Sequence, residues 1–246
     1  MSQIAPGTQP FNQDYFSTGP YAGVNFKRYS QYWWSNRYYA HLACRFGPAR
    51  GAVLELGCGM GHLLSWLAEH YGVYGTDINP WALAKAKLNV PGGHFAVLSA
   101  DDCFTFPPAS FEIVIAKHVV EHLQHPEQAI AEMSRVLKPG GALILATPNL
   151  SSPMRKRKGP GWIGYQDPTH INLKPPEEWL ACLRLNQFRV VKAFSDGFWD
   201  APYFPVIPTA LQKLFFGLPG GLQAVLGWSI IPLRMGESLI VVAAKE

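Results

Sequence analysis

Short apolar runs alternate with helical patterns along most of the chain. The run Ala52–Leu56 ends in glycines, and apolar residues at helical spacing follow it over 62–70. The same patterns predict further strands at 73–76, 94–98, 112–116, 142–146, 188–193 and 238–244, and further helices at 80–88, 126–137 and 175–185. Alternating strands and helices favour one α/β domain with a largely parallel sheet covered on both faces.

The two flanks of this pattern differ from its centre. Residues 1–30 show no helical or alternating period and predict an irregular arm, whereas 31–46 predict a helix. Residues 203–233 are apolar, but prolines and glycines interrupt them, so we expect no membrane-spanning segment. Core or lid packing is the first interpretation; lying on a bilayer or closing over an apolar substrate are alternatives. We predict an arm with a cap helix over 1–50 and the main domain over 51–246, with a basic loop at 154–170 and an apolar insertion at 196–236.

Composition narrows the functional classes. Of 246 residues, 48% are hydrophobic and 15% charged, which is typical of a globular protein, and the net charge of +4 does not by itself indicate a nucleic-acid partner. The four cysteines are widely separated and form no Cys-x-x-Cys pair. Because residues 1–10 also lack the pattern of a signal peptide, we expect a reduced, cytoplasmic protein, with peripheral membrane contact as an alternative.

A glycine-rich turn after the first strand predicts a nucleoside site. The segment Val53-Leu54-Glu55-Leu56-Gly57-Cys58-Gly59-Met60-Gly61 places glycines where a strand turns into a helix. A dinucleotide fingerprint would need glycine or alanine at His62, and no Gly-Lys-Ser/Thr follows, so a ligand without pyrophosphate is favoured over a purely structural turn. Asp77, at the end of the next strand, can bond ribose hydroxyls, cap the helix before Asn79-Pro80, or do both.

Five motifs then occur in a familiar order between residues 53 and 149. They are Glu55-Leu56-Gly57-Cys58-Gly59-Met60-Gly61, Gly75-Thr76-Asp77, Ser110-Phe111-Glu112-Ile113-Val114, His118-Val119-Val120-Glu121-His122-Leu123 and Arg135-Val136-Leu137-Lys138-Pro139-Gly140-Gly141. With these residues the chain resembles the class I S-adenosylmethionine-dependent methyltransferases that act on small molecules, including those of the ubiquinone pathway.

The resemblance implies a Rossmann-like, doubly wound sheet of seven strands whose last strand is antiparallel, with S-adenosylmethionine across the carboxyl ends of the first strands. It assigns Lys117 and His118 to the side of the sulfonium and the substrate entrance. The usual Gly-Asp pair near the adenine is replaced by Ser99-Ala100, which leaves the choice between Asp101 and Asp102 open. The predicted cofactor-binding residues are Glu55, Gly57, Cys58, Gly59, Gly61, Asp77, Ile78, Asp101, Asp102 and Lys117.

The histidines are the candidate catalytic residues. His118-x-x-Glu121-His122 matches a zinc-protease pattern, but it follows directly on a strand instead of lying within one long helix, so we reject that reading. We predict catalytic roles for His118 and His170, because histidine suits deprotonation of a hydroxyl near neutral pH; a loop histidine bonded to backbone is the alternative for His170. We predict no metal ligand.

Some ubiquinone-pathway O-methyltransferases, however, resemble this chain in a Glu-x-x-Glu-His motif and a later histidine that together bind a divalent cation. The corresponding set here is Glu121, His122 and His170. It remains an alternative, weakened because His118 replaces the first glutamate.

The substrate is less determined than the cofactor. The run Arg155-Lys156-Arg157-Lys158 is a solvated loop or an anion site, and the lack of an RNA-binding module or of an Asn-Pro-Pro-Tyr-like motif disfavours nucleic acid. Aromatic residues crowd both flanks, at Tyr29, Tyr32, Trp33, Trp34, Tyr38 and Tyr39 and at Trp199, Tyr203, Phe204, Phe215, Phe216 and Trp228. We therefore predict methyl transfer, with O-methylation favoured, to a small apolar or aromatic acceptor. A catalytically inactive cofactor-binding scaffold and a nicotinamide-dependent oxidoreductase are the alternatives.

Overall fold

A central sheet of seven strands organises the molecule in a computed structural model that describes residue 15 and residues 23–102 and 105–246. Its strands are β1 (Ala52–Leu56), β2 (Gly72–Asp77), β3 (His94–Val97), β4 (Phe111–Lys117), β5 (Leu137–Pro148), β6 (Phe188–Ser195) and β7 (Ser238–Lys245). They lie in the order β3-β2-β1-β4-β5-β7-β6, and β7 runs antiparallel to both of its neighbours. The pairs among β1 to β5 are parallel, so the predicted fold class is confirmed.

Helices cover both faces of this sheet and extend beyond it. They are α1 (Gln31–Phe46), α2 (Leu64–Leu67), α3 (Pro80–Asn89), α4 (Pro126–Val136), α5 (Pro153–Lys158), α6 (Ile163–Gln166), α7 (Pro176–Leu185) and α8 (Thr209–Leu226). Local signals fix the starts of the first long ones. The Ser30 hydroxyl accepts from the Trp33 amide at 3.1 Å, and the Asn79 side chain caps α3 directly before Pro80.

The alternation of side chains along the strands divides the core into two layers. Leu54 and Val114 point to one face, where they pack with Ile130 of α4. Val53 and Ile113 point to the opposite face, where they join a cluster that α1, α2 and α3 cover. Because consecutive strand residues face opposite sides, a central strand covered on both faces is apolar at every position.

Two of the predicted boundaries are wrong in a way that the structure explains. The helix expected over 62–70 is only the single turn α2, because the chain must descend to β2 at Gly72. The turn expected at residues 138–141 lies within β5 as an irregularity, since Leu137 pairs with Phe111 and Ala142 with Ile113, and Gly140 between them has a left-handed φ of +75°. This irregularity absorbs the residues that we had assigned to a turn.

The prediction of a basic loop at 154–170 is also wrong, because helices α5 and α6 lie within this segment. Pro153 occupies the first position of α5, where a missing amide hydrogen costs no helical bond. The Arg155 Nε donates to the Leu150 carbonyl at 2.8 Å, and the Lys158 Nζ contacts the Asp200 carboxylate at 2.5 Å. The four cations therefore lie on a helical turn that is bonded to the insertion.

The apolar segment that prolines were expected to interrupt contains a continuous helix, α8, with Pro219 inside it. The carbonyl that loses its helical partner to Pro219 belongs to Phe215, and both residues are exposed, so solvent can satisfy it. Among the described residues no helix reaches the length and apolar character needed to cross a bilayer.

A buried carboxylate joins the insertion to the sheet. Glu237 precedes β7 and accepts hydrogen bonds from Trp162 Nε1 at 2.5 Å, Tyr203 Oη at 2.7 Å and Ser152 Oγ at 3.1 Å. It therefore holds these three segments together.

The division into residues 1–50 and 51–246 stays a prediction. Most of the arm, like Cys103, lies outside the described residues.

Candidate functional site

A cavity opens at the carboxyl ends of β1, β2 and β4, where the topology of the sheet places the ends of three parallel strands. Of the predicted site residues, nine line it: Glu55, Gly57, Cys58, Gly59, Asp77, Ile78, Asp101, Lys117 and His118. Three others, Gly61, Asp102 and His170, are not among its lining residues. The strand order thus gathers most of the predicted residues around one space.

The glycine turn after β1 requires glycine for two reasons at Gly57. Its φ of +62° is left-handed, and a Cβ there would lie 2.6 Å from Val119 Cγ2. Gly61 is not among the residues that line the cavity, and its contact with the cofactor stays a prediction. Its Cα faces α3, where an added Cβ would lie 3.1 Å from Ala86 Cβ, so this glycine allows close helix packing instead of lining the cavity.

Asp77 closes the turn from the end of β2. Its Oδ2 accepts from the Gly59 amide and its Oδ1 from the Asn79 amide, each at 2.8 Å. The cap of α3 is Asn79, whose side chain accepts from the first helical amides, so the alternative reading of Asp77 as a helix cap is wrong. Burial raises the pKa of Asp77, although these backbone donors counteract part of the rise.

A buried pair of opposite charges forms the floor of the cavity. Glu55 is fully buried, and its Oε2 accepts no hydrogen bond from the described residues. Lys117 donates to Asn36 Oδ1 at 2.9 Å, and its ammonium lies 4.9 Å from the centre of the Tyr39 ring. Burial raises the pKa of Glu55 and lowers that of Lys117, while the attraction between the two opposes both shifts.

The structure distinguishes the two acidic residues after β3 by position. Asp101 lines the cavity, and its carboxylate accepts from the Gln124 amide at 3.1 Å and the His125 amide at 2.8 Å. Asp102 is not among the lining residues. The bonds of Asp101 hold the segment before α4 against the cavity wall, and contact of Asp101 with the cofactor stays a prediction.

A histidine and a carboxylate form the wall that follows β4. His118 has a left-handed φ of +54°, and its Nδ1 lies 3.1 Å from Glu121 Oε1. Glu121 is fully buried, and its Oε2 accepts no hydrogen bond from the described residues. Burial alone would raise the pKa of Glu121, but the hydrogen bond and charge of His118, with smaller contributions from two further histidines, hold it below its usual value. The imidazole of His118 is therefore oriented by a carboxylate.

Those two further histidines, His122 and His170, lie next to Glu121 with their rings inclined by 54°. Their ring centres are 4.7 Å apart, and one ligand atom from each of the three side chains lies within 4.8 Å of the others. The Nδ1 of His170 lies 2.8 Å from the Gly164 carbonyl and that of His122 lies 2.9 Å from Thr169 Oγ1. This arrangement is typical of metal-binding histidines, whose second nitrogen is held by a neighbouring oxygen.

Sequence reasoning missed the contribution of α1 to the floor. Tyr32 and Asn36 lie four residues apart on one face of this helix and line the cavity together with Tyr15, whose hydroxyl donates to Asp167 at 3.0 Å. Tyr32 was noted only as one of many aromatic residues, and Asn36 carried no signal.

Comparisons with known proteins agree with this geometry. The family model described as a methyltransferase domain matches residues 28–193. The chain is 33% identical over 119 residues to the 2-methyl-6-phytyl-1,4-hydroquinone methyltransferase of Synechocystis, which is 44% of this chain and 37% of that protein. It is 32% identical over 108 residues to a ubiquinone biosynthesis O-methyltransferase of Azoarcus, 42% of this chain and 46% of that protein. The match thus spans less than half the length of each of these relatives.

Solved structures share the fold. The chain is similar to an S-adenosylmethionine-dependent methyltransferase from Archaeoglobus fulgidus with a TM-score of 0.59 at 20% identity, over 85% of this chain and 94% of that one. The corresponding values for an enzyme from Mesorhizobium loti are 0.58 and 18%, over 85% and 98%. Because the family model covers most of the chain and the sheet has the expected seven strands with an antiparallel last strand, the chain belongs to the class I S-adenosylmethionine-dependent methyltransferase family.

Proposed function

We propose that this chain transfers the methyl group of S-adenosylmethionine to a hydroxyl oxygen of a small, apolar or aromatic acceptor. The observation that carries the proposal is that His118, oriented by buried Glu121, lines the same cavity as the glycine turn and Asp77. A base and a cofactor cradle in one space suit deprotonation of a hydroxyl at the place where the methyl group arrives.

The residues of the cradle fit the chemical groups of the cofactor. Asp77 retains acceptor capacity on both carboxylate oxygens for a ribose diol, since each accepts one backbone bond. The unpaired oxygen of Glu55 suits the cationic methionine portion. When bound, S-adenosylmethionine supplies an activated methyl group, and the chain's contribution is to position it and exclude water.

His118 and Glu121 act on the acceptor in this proposal. The Nδ1 of His118 bonds to Glu121, which leaves the other ring nitrogen to take a proton from the acceptor hydroxyl. The buried carboxylate then stabilises the imidazolium that forms. The left-handed backbone of His118 supports a specific orientation of this side chain, because such a conformation persists only where its surroundings enforce it.

A divalent cation fits the neighbouring set Glu121, His122 and His170. Burial lowers the pKa of His122, which favours the neutral ring that a metal requires, although the charge of Glu121 counteracts part of the effect. The unpaired Oε2 of Glu121 is a buried oxygen ligand. A cation held there would lower the pKa of an acceptor hydroxyl. Methylation of that hydroxyl would then depend less on proton removal by His118. Calcium and magnesium favour oxygen ligands, whereas two imidazoles favour transition metals.

The acceptor class follows from the cavity and from the relatives. Tyr32 and Leu123, which belong to separate segments of the chain, line the cavity. Their side chains favour an acceptor that is apolar or aromatic. The relatives in the comparisons carry the names of a hydroquinone methyltransferase and a ubiquinone biosynthesis O-methyltransferase. We therefore propose a hydroxylated ring as the acceptor. Cytoplasmic location stays a prediction.

The first experiment is calorimetric titration of the purified protein with S-adenosylmethionine and S-adenosylhomocysteine, with NADH as the control. Binding of the two methionine derivatives alone, followed by methyl transfer to catechols or hydroquinones, would support the proposal. Binding of NADH in their place would favour an oxidoreductase. Cofactor binding without transfer to any hydroxylated acceptor, with and without divalent cations, would leave the scaffold alternative.

Variants distinguish the role of His118 as a base from cation binding at Glu121, His122 and His170. His118→Gln should lower kcat by about 100-fold or more without weakening cofactor binding, while the exposed His94→Gln serves as its matched control. Titration of manganese or zinc into the cofactor-free protein should show one site that Glu121→Gln removes. If His118→Gln retains full activity and a chelator has no effect, both roles are wrong.

A further inference from the structure

Helix α8 is oriented with its polar side inward and its apolar side outward. Its buried residues are two glutamines, Gln212 and Gln223. The Gln212 amide bonds to the backbone of residues 203, 204 and 207, and Gln223 bonds to the backbone of 195, 230 and 231. These amides hold the helix in place through main-chain contacts. Phe216 also packs against Tyr203, with ring centres 5.4 Å apart, and Ala224 packs against the core, so the inward side of α8 combines these amide bonds with apolar contacts.

The outward side of α8 is a continuous apolar stripe. Its members recur at helical spacing, and each is exposed by 44% or more: Leu211, Leu214, Phe215, Leu218, Leu222, Val225 and Leu226. Trp228 and Ile230 extend the stripe beyond the end of the helix and are likewise exposed. We call this set the outer face. Single exposed leucines are ordinary, but a contiguous apolar face of this length marks a surface that binds something.

The charges around the outer face indicate which kind of partner it binds. Residues 201–236 contain no aspartate or glutamate, and the carboxylates that flank this stretch in the sequence, those of Asp200 and Glu237, are bonded within the protein. Cations lie at both ends of α8. The guanidinium of Arg157 stacks on Phe204 at 4.8 Å near its start, and those of Arg37 and Arg45 donate to the carbonyls of residues 225 and 227 at its end.

From this face and its charges we infer that the protein binds peripherally to an anionic lipid bilayer, with α8 lying in the interface and its outer face towards the acyl chains. An apolar face between cations, without carboxylates, matches a surface of negatively charged head groups. A second copy of the chain would bring two cationic borders together and so meet repulsion where a bilayer provides attraction.

This docking would place the cofactor cavity close to the lipid. Helix α1 contacts α8 and its following residues through Arg37 and through Tyr38, whose hydroxyl donates to the Trp228 carbonyl at 2.5 Å. The same helix lines the cavity with Tyr32 and Asn36. Helix α1 therefore contacts both the region of α8 and the cavity. The inference itself does not depend on the proposed reaction, because binding to lipid is measured without substrate.

The test is flotation of the full chain with vesicles of phosphatidylcholine alone and with about a quarter phosphatidylglycerol. We expect binding to the anionic vesicles, weakened at about 1 M salt relative to about 0.1 M. Leu214→Ser with Leu218→Ser, at positions exposed by 56% and 51%, should lower the partition coefficient by about tenfold or more. The matched control is Leu88→Ser with Leu185→Ser, two leucines on other helices exposed by 74% and 85%, which should leave binding unchanged.

A second pair of variants tests the charges. Lys156→Gln and Lys213→Gln, both at exposed positions, should each weaken binding to anionic vesicles by about fivefold. Equal binding of the wild type to neutral and anionic vesicles would overturn the electrostatic part of the inference. Failure to bind either kind of vesicle would overturn it entirely. Sedimentation velocity that shows a dimer, abolished by the Leu214 and Leu218 changes, would instead assign the outer face to a second copy.

Discussion

The glycine turn offers the sharpest test of how this sequence builds its cofactor site. Gly57→Ala adds one methyl group at a residue whose φ is +62°, and that methyl would lie 2.6 Å from Val119 Cγ2. Two separate costs are therefore expected, one from the left-handed backbone and one from the collision with a buried valine. The structure allows each cost to be measured alone.

The two costs have known scales. A left-handed conformation costs an ordinary residue about 1–2 kcal/mol, and overpacking by a methyl group in a well-packed interior costs about 1–3 kcal/mol. We therefore expect Gly57→Ala to lower the free energy of unfolding by about 2–5 kcal/mol. Because the turn must shift to relieve the collision, affinity for S-adenosylhomocysteine should also fall by about tenfold or more.

Gly140 provides the matched control. Its φ is +75°, but an added Cβ would meet no atom within 4 Å, so Gly140→Ala should incur the backbone cost alone and leave cofactor affinity unchanged. Val119→Ala in the Gly57→Ala background should recover the part that comes from the collision. The single Val119→Ala variant completes the double-mutant cycle and accounts for the valine's own contribution.

Denaturant unfolding of the wild type and the four variants, and calorimetry with S-adenosylhomocysteine, supply the measurements. The reasoning predicts a larger loss for Gly57→Ala than for Gly140→Ala and a positive coupling with Val119→Ala. Equal losses at the two glycines, or no recovery from the valine change, would refute the claim that close packing against Val119 requires glycine at this turn.

The remaining predictions concern buried charges. Lys117→Met should raise the pKa of Glu55 further above its value of about 8, since the ammonium of Lys117 holds that pKa down, and NMR titration of the Glu55 carboxyl measures the shift; an unchanged pKa would contradict this interaction. Burial lowers the pKa of His62 below its unfolded value of 6.5, so the neutral ring contributes stability above that pH, which is lost as pH falls towards and through the lower folded value. His62→Gln should therefore flatten the fall in unfolding free energy below pH 6.5, and an unchanged slope in thermal or urea unfolding would argue against a buried neutral histidine.

The sequence predicted the scaffold because the relevant signals are local. The helix Gln31–Phe46 and the strand Ala52–Leu56 have the predicted bounds, since apolar spacing, the Ser30 cap and the glycine turn each act within a few residues. The seven strands and the antiparallel last strand followed from the resemblance carried by the motifs. The least accurate predictions concern segments whose conformation depends on distant partners. Helix α8 is continuous through Pro219, and two glutamines bonded to remote backbone hold it.

The sequence by itself determined the family, the glycine turn and the alternation of strands and helices, because these rest on local motifs, caps and periodic burial. Only the tertiary structure decided which residues share a cavity. It places Asn36 of α1 in contact with Lys117, the ring of His170 next to that of His122, and Gly61 against α3. It also turned the leucines of α8 outward. Such placements arise from packing between elements far apart in the chain, and local patterns carry no information about them.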